Sequence, residues 1–293
     1  MKQLFVTLLL LASTASLHAQ GDELPAPDAR SLALGGLTMT LPGSSNALYH
    51  NPAMSVFTYT PFQLSSSFYR QGNYDFYSVS GSVNVGQHNT LHAGWRQYLR
   101  GSGNSDQALD LGYTRRINSE WGIGIVGRYL HLARPDAGSG ADALAADLSV
   151  AWAHPLPSVG SYSTLRVGAK LANLGGYFGQ SDYRMPFNAT AGVALDCMVS
   201  DAHEVTVGVD AGYCFTPASV RGFRGSVGAE YNLMQLVIFR AGYHYGEKST
   251  YASYGSVGAG VRFLHLRCDV AYILAEKSNP MHNTYSISFG LDF

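Results

Sequence analysis

Few residues in this chain are spaced for bond-making chemistry. Gly122-Ile-Gly124-Ile-Val-Gly127 spells G-x-G-x-x-G, the loop that presents backbone amides to a pyrophosphate. That use needs a strand before it and a helix after it. Here the glycines sit inside an alternating run with no helix following, and small inward residues in a crowded interior explain them better. No H-E-x-x-H, C-x-x-C or G-x-S-x-G occurs. His203-Glu204 falls at a strand start and reads as a solvated turn. His92 and His244 fall on polar faces, where a serine and an acid could join them in ester hydrolysis, but no spacing favours this. No catalytic residue, metal site or cofactor is expected.

The other polar signals are charges placed mid-strand: Arg96, Asp110, Arg128, Arg166, Asp210, Glu230 and Arg240. A sandwich core could not hold so many charges unpaired, whereas the lumen of a barrel can. Their signs are mixed, so neighbouring strands are expected to close the lumen with ion pairs rather than select an ion.

The elements that must position these residues alternate with a period of two from Pro61 onward. Tyr285, Ile287, Phe289, Leu291 and Phe293 alternate with Ser286, Ser288, Gly290 and Asp292. Val205, Val207, Val209, Ala211 and Tyr213 alternate in the same way with Thr206, Gly208, Asp210 and Gly212. Such alternation places a strand between two environments. Fourteen strands are expected, near 61–70, 74–85, 88–99, 106–117, 120–132, 143–154, 162–172, 186–198, 203–214, 220–232, 235–246, 255–263, 266–275 and 284–293. Many approach the 9–11 residues that cross a bilayer at a tilt. Aromatic residues near segment ends (Tyr74, Tyr98, Trp121, Trp152, Tyr213, Tyr231, Tyr245, Tyr285) suit interface girdles. Short turns on one side, such as Leu264-His265, oppose longer loops near 133–142, 173–185, 247–254 and 276–283, as in outer-membrane barrels with the short side periplasmic.

Composition agrees. Only 13% of residues are charged and the formal net charge is −1, which suggests no nucleic-acid partner. No later apolar run approaches a membrane helix, so a membrane crossing must be a closed barrel. Lys2, the apolar run Leu4–Ala15 and Leu17-His18-Ala19 read as a signal peptide over 1–19. Cys197 and Cys268 fall on the apolar face and Cys214 on the opposite one, so no disulfide is expected. Residues 20–60 lack the period of two, carry turn signals at Gly35-Gly36, Pro42-Gly43 and Asn51-Pro52, and are apolar enough to need burial. They are expected to form a hatch, or plug, inside a barrel of residues 61–293.

The stretch ARSLALGGLTMTLPGSSNALYHNPAMSVF, Ala29 to Phe57, resembles the N-terminal hatch of FadL-type fourteen-stranded barrels, with Gly35, Gly36 and the Asn51-Pro52-Ala53 turn. KLANLGGYF (Lys170–Phe178), FRAGYHYGE (Phe239–Glu247) and NPMHNTYSISFGLDF (Asn279–Phe293) are similar to segments of the PorV/PorQ group within that superfamily. The resemblance implies an outer-membrane, non-enzymatic component or partner of type IX protein secretion. It would contact outer-membrane lipid and bind secretion components or secreted cargo at extracellular loops, with Gly175, Gly176 and Tyr177 in the longest. Phe293 resembles the terminal signal read by the barrel-assembly machinery. The alternative is a FadL-like channel for uptake of small hydrophobic compounds, which implies a break in the wall beside an apolar pocket near the hatch. A continuous wall around an ion-paired lumen would favour the secretion role.

Overall fold

The structure is a computed structural model that describes residues 28–99, 105–133, 140–157, 159, 162–178, 184–247 and 252–293. The expected signal peptide, residues 20–27 of the expected hatch, and much of the loops after the fifth, seventh and eleventh strands lie outside these residues.

Fourteen antiparallel strands close on themselves: β1 (Phe62–Gln71), β2 (Tyr74–Val85), β3 (Asn89–Leu99), β4 (Ser105–Arg116), β5 (Trp121–Leu132), β6 (Ala141–Pro155), β7 (Tyr162–Tyr177), β8 (Asn188–Ser200), β9 (His203–Cys214), β10 (Gly222–Leu233), β11 (Val237–Gly246), β12 (Tyr254–Phe263), β13 (Leu266–Leu274) and β14 (Tyr285–Asp292). Each pairs with its sequence neighbours. β1 pairs with β14 from Gln63↔Asp292 to Arg70↔Tyr285, so the sheet has no free edge. Phe62 and Phe293 exchange backbone hydrogen bonds at 3.0 and 2.9 Å and finish that seam.

The alternation becomes two surfaces. On β4, Asp106, Ala108, Asp110, Gly112 and Thr114 are buried while Gln107, Leu109, Leu111 and Tyr113 are exposed. Around the barrel the exposed set is Val, Leu, Ile, Phe and Tyr. An apolar surface this continuous is unfavourable in water and suits lipid. Cys197 and Cys268 are half-buried on the outward face, Cys214 is buried on the inward face, and all three are free thiols.

Two of the expected placements need correction. Tyr98 does not join an outer girdle. It shares the inward face of β3 with His92 and Arg96 and stacks on Phe76 at 4.0 Å. Gly175, Gly176 and Tyr177 are not loop residues. They extend β7 and pair with Ala145, Leu144 and Ala143 of β6. The cause is a β-bulge. Ala172 and Asn173 together face Asp147, and Asn173 takes φ 62°. Both are buried, so two consecutive side chains point inward and the period of two is interrupted. A second irregularity lies between Met198 and Ser200 on β8. Every seam is otherwise hydrogen-bonded, so no strand is missing from the wall.

Candidate functional site

Residues 28–57 fold as a short helix, α1 (Ala29–Ala33), and two 3-10 turns, Ser45–Leu48 and Pro52–Phe57. Each begins on a residue whose side chain can accept from a free backbone N–H. Asp28 caps Ser31 N at 3.0 Å, Ser44 caps Asn46 N at 3.2 Å and Asn51 caps Ala53 N at 3.2 Å. α1 stops at Gly35 and Gly36, with φ of 69° and 81°, where Gly36 N reaches Ser31 O at 2.8 Å.

The segment is held against the inner wall all round the barrel. Ala29 N donates to Ser288 on β14 at 2.8 Å, and Gly35 N donates to Ser256 on β12 at 2.9 Å. The Tyr49 hydroxyl donates to Val79 O on β2 at 2.7 Å, and Ser45 donates to Ser80 O at 3.0 Å. Lys170 on β7 donates to Tyr49 O at 3.0 Å. One oxygen of Asp210 on β9 accepts from Thr38 N at 2.6 Å and Met39 N at 3.0 Å.

The expected hatch residues are brought together by this packing. Asn51 is 1% exposed, and its amide nitrogen donates to Met39 O at 2.8 Å and Val150 O at 3.2 Å. It therefore ties one turn to the preceding chain and to β6. Pro52 supplies the first position of the turn, where its missing N–H costs nothing. Ala53 is fully buried because Gly122 and Gly124 of β5 let it approach. A Cβ on Gly122 would lie 2.8 Å from Ala53 O, and one on Gly124 would lie 3.1 Å from Ala53 N. Those glycines are the first two of the G-x-G-x-x-G string, and the third, Gly127, faces outward. Gly35 likewise has no room for a side chain, because a Cβ would sit 2.6 Å from Tyr243 backbone atoms.

Three residues that carry the segment were missed by sequence reasoning: Asp28, Arg30 and His50. Asp-Ala-Arg-Ser has the shape of a helix cap, and Arg30 is a lone charge in an apolar stretch; both signals were available. The Asp28 carboxylate contacts His50 Nε2 and accepts from Ser31 Oγ at 2.5 Å. Burial alone would push the Asp28 carboxyl up, but His50 and the Ser31 hydrogen bonds outweigh it and hold it at about 2. Arg30 makes a two-pronged bond to Glu230 on β10, at 2.9 Å for both contacts, and also donates to Pro42 O at 2.7 Å.

The mid-strand charges are paired, mostly between adjacent strands. Asp110 bridges Arg96 (3.1 Å) and Arg128 (2.7 Å), and Arg128 continues to Asp147 (3.1 Å), which Lys170 approaches at 3.6 Å. On the far side Arg240 joins Glu230 (2.5 Å) to Asp269 (2.6 Å), and Arg166 meets Asp196 at 2.8 Å. Asp210 differs, since one of its carboxylate oxygens is buried without a partner.

Above this layer, at the end away from the short turns, the inward face changes character. Tyr69, Phe76, Tyr254 and Ile273 form one buried cluster over Ala29, Leu32 and Ala33 of α1. Leu130, Leu132, Ala143 and Met185 form another, and Tyr98 touches both. Part of the inward face at this end is therefore apolar and aromatic, packed against α1 and neighbouring strands. On the outside of the wall, Ala169, Ala189, Ala191 and Ala211 floor an apolar recess of about 540 Å³, bordered by Leu148 and Leu171 near the β7 bulge.

The histidines are accounted for without hydrolytic chemistry. His92 Nε2 lies 3.1 Å from Ser55 Oγ and 3.4 Å from Thr114 Oγ1, but its Nδ1 has no partner, so no acid orients it. His244 Nδ1 sits 3.2 Å from both Ser226 Oγ and Gly35 O. Among the described residues no group of three His, Cys, Asp or Glu is placed to hold a metal ion. Phe293 stacks on His265 at 5.2 Å beside Phe62, half-exposed at the short-turn end.

The sequence matches no protein-family model and no curated protein. Solved structures are similar in fold. The toluene transporter TbuX of Ralstonia pickettii aligns at TM-score 0.56 and 13% identity, over 91% of this chain and 98% of that one. The toluene transporter TodX of Pseudomonas putida gives 0.57 and 14%, over 93% and 99%. A FadL homologue of Pseudomonas aeruginosa gives 0.54 and 11%, over 93% and 100%. This chain has the FadL-type barrel fold. The comparisons lend no support to PorV/PorQ membership or to a type IX secretion role.

Proposed function

We propose that this protein is an outer-membrane channel for the uptake of small hydrophobic compounds, with residues 28–57 as its plug. The observation that carries this reading is the apolar, aromatic lining of the outer lumen directly over α1. Tyr69, Phe76 and Tyr254 are buried against α1, and displacement of that segment would turn their rings toward apolar cargo. Two of the similar folds are toluene transporters, a class of cargo that the rings of Tyr69, Phe76, Tyr98 and Tyr254 would suit. Ion pairs beneath these clusters oppose passage of ions. The wall is continuous, and one of its two irregular points, the β7 bulge at Asn173, lies beside the outer recess.

The experiment is accumulation of radiolabelled toluene at low concentration by cells that lack a channel of their own, with glucose as polar control. Expression of the protein is expected to raise toluene entry several-fold without raising glucose entry. Leu130→Arg with Ile273→Arg is expected to abolish the gain while leaving the heat-modifiable gel shift of a folded barrel. Equal toluene entry with and without the protein would overturn the reading.

A further inference from the structure

The turns at the short-turn end are of two kinds. Between β2 and β9 three of them are polar: Gly86-Gln87-His88, Asn118-Ser119-Glu120 and Asp201-Ala202. From β10 onward they are apolar. Met234, 68% exposed, and Leu236 occupy the β10–β11 turn, and Leu264, 86% exposed, occupies the β12–β13 turn. Phe62 and Phe293, with ring centres 6.5 Å apart, continue the arc where β14 meets β1. Arg262 N donates to Leu236 O at 2.8 Å and Asp292 N donates to His265 O at 2.9 Å, which fixes these turns side by side.

Two of these positions are strained. Met234 and Leu264 hold φ of 54° and 55°, the left-handed region that hairpin turns ordinarily give to Gly, Asn or Asp. In water a leucine there would be both strained and poorly solvated, whereas lipid removes its apolar surface from water.

The aromatic girdle fixes where lipid ends. Trp121 and Tyr129 face outward at the two ends of β5, eight residues apart. Eight residues span about 27 Å along a strand and, at a tilt of about 40°, about 21 Å of height, close to the apolar band of an outer-membrane barrel. β13 and β14 carry Tyr272 and Tyr285 toward their outer ends, but no Tyr or Trp at their other ends. The same eight residues counted from Tyr272 end in the turn at Leu264, and counted from Tyr285 they end at Phe293. On this side the apolar band extends over the turns and joins the lipid-facing wall without a break.

We infer that Leu264, with Met234, Phe62 and Phe293 around it, is seated in the phospholipid leaflet on the short-turn side, so that the barrel sits deeper in the bilayer along β10–β14 than along β2–β9. The inference rests on the lipid-facing wall and not on the uptake reading.

The test is electron paramagnetic resonance of the full mature protein, spin-labelled at single cysteines, in vesicles of phosphatidylethanolamine and phosphatidylglycerol. It compares collisions of the label with oxygen and with a water-soluble nickel chelate. Cys197, Cys214 and Cys268 are replaced by alanine. The label is placed by Leu264→Cys, by Val270→Cys on the wall of β13 and by Gln87→Cys in a polar turn. The label at position 264 is expected to favour oxygen over nickel several-fold more than the label at position 87. Equal ratios at those two positions would overturn the inference, and would leave the apolar arc open to a protein partner instead. A water-exposed label at position 270 would overturn the lipid-facing wall and the inference with it, so the two failures are distinct. Leu264→Asn in the chain with its own cysteines decides the matter even if the alanine background fails to assemble. Asparagine suits the left-handed backbone, so a turn in water would show a raised urea midpoint of unfolding from the vesicles. A lowered midpoint is expected, because apolar contact with lipid is lost, and an equal or raised one would overturn the inference.

Discussion

The two charged networks inside the barrel are built differently. On the β3–β7 side Arg96, Asp110, Arg128, Asp147 and Lys170 all belong to the wall, and residue 49 of the inserted segment only rests on them. Its ring lies 4.9 Å from the Arg96 guanidinium, and its carbonyl accepts from Lys170. On the β10–β13 side Arg240 of the wall joins Glu230 to Asp269, and Arg30 of the inserted segment shares Glu230 with it. On one side every member of the ion-pair network belongs to the wall, and on the other one member belongs to the segment. The segment is therefore clamped by charge on one side and guided by hydrogen bonds on the other.

The largest effect expected from breaking this asymmetry is Asp110→Ala. It leaves Arg96 and Arg128 facing each other, buried, and such losses cost about 3–5 kcal/mol or more. Denaturant unfolding in detergent should show the whole barrel weakened. Arg30→Ala should cost about 3 kcal/mol on the same grounds, but with a different readout. The barrel should keep its heat-modifiable shift while residues 28–57 become open to protease. If the two variants behave alike, the distinction between the sides is lost.

Acid sharpens the comparison further. Asp28 has a folded pKa of about 2 against an ordinary 3.8. A depressed carboxyl contributes stability that is present above the unfolded value and is lost as pH falls through the folded one. About 2 kcal/mol of the segment's anchoring should therefore disappear between roughly pH 4 and pH 2. Asp28→Asn should flatten protease susceptibility across that window. The smallest effect is Asn51→Ala, which removes a cap and two ties to Met39 and Val150. About 1–2 kcal/mol is expected, read as a modest rise in cleavage near residue 52.

The barrel was legible because lipid and lumen impose different residue types on alternate positions. β2 and β9 fall on their expected limits, and most other ends lie within two residues. The signal failed where the physics stopped alternating. At Ala172-Asn173 two inward residues in succession hid the outer end of β7, and Gly175-Gly176 then read as a turn. Toward the end away from the short turns, apolar residues such as Leu130 and Leu132 occupy the inward face, so residue type no longer tells the two faces apart there. The Asn51-Pro52-Ala53 turn was visible as a motif, but its reason, the bare backbone of Gly122 and Gly124, lies some seventy residues further along the chain. The same distance problem hid Arg30–Glu230, which joins positions 200 residues apart.

Conductance across a planar bilayer tests most directly whether residues 28–57 close a membrane-spanning lumen. The intact mature protein is expected to pass almost no ion current, and deletion of residues 20–57 is expected to give stable open steps. Open-pore steps from the intact protein, or a deletion that inserts and stays as tight as the parent, would contradict the placement of the segment as the plug.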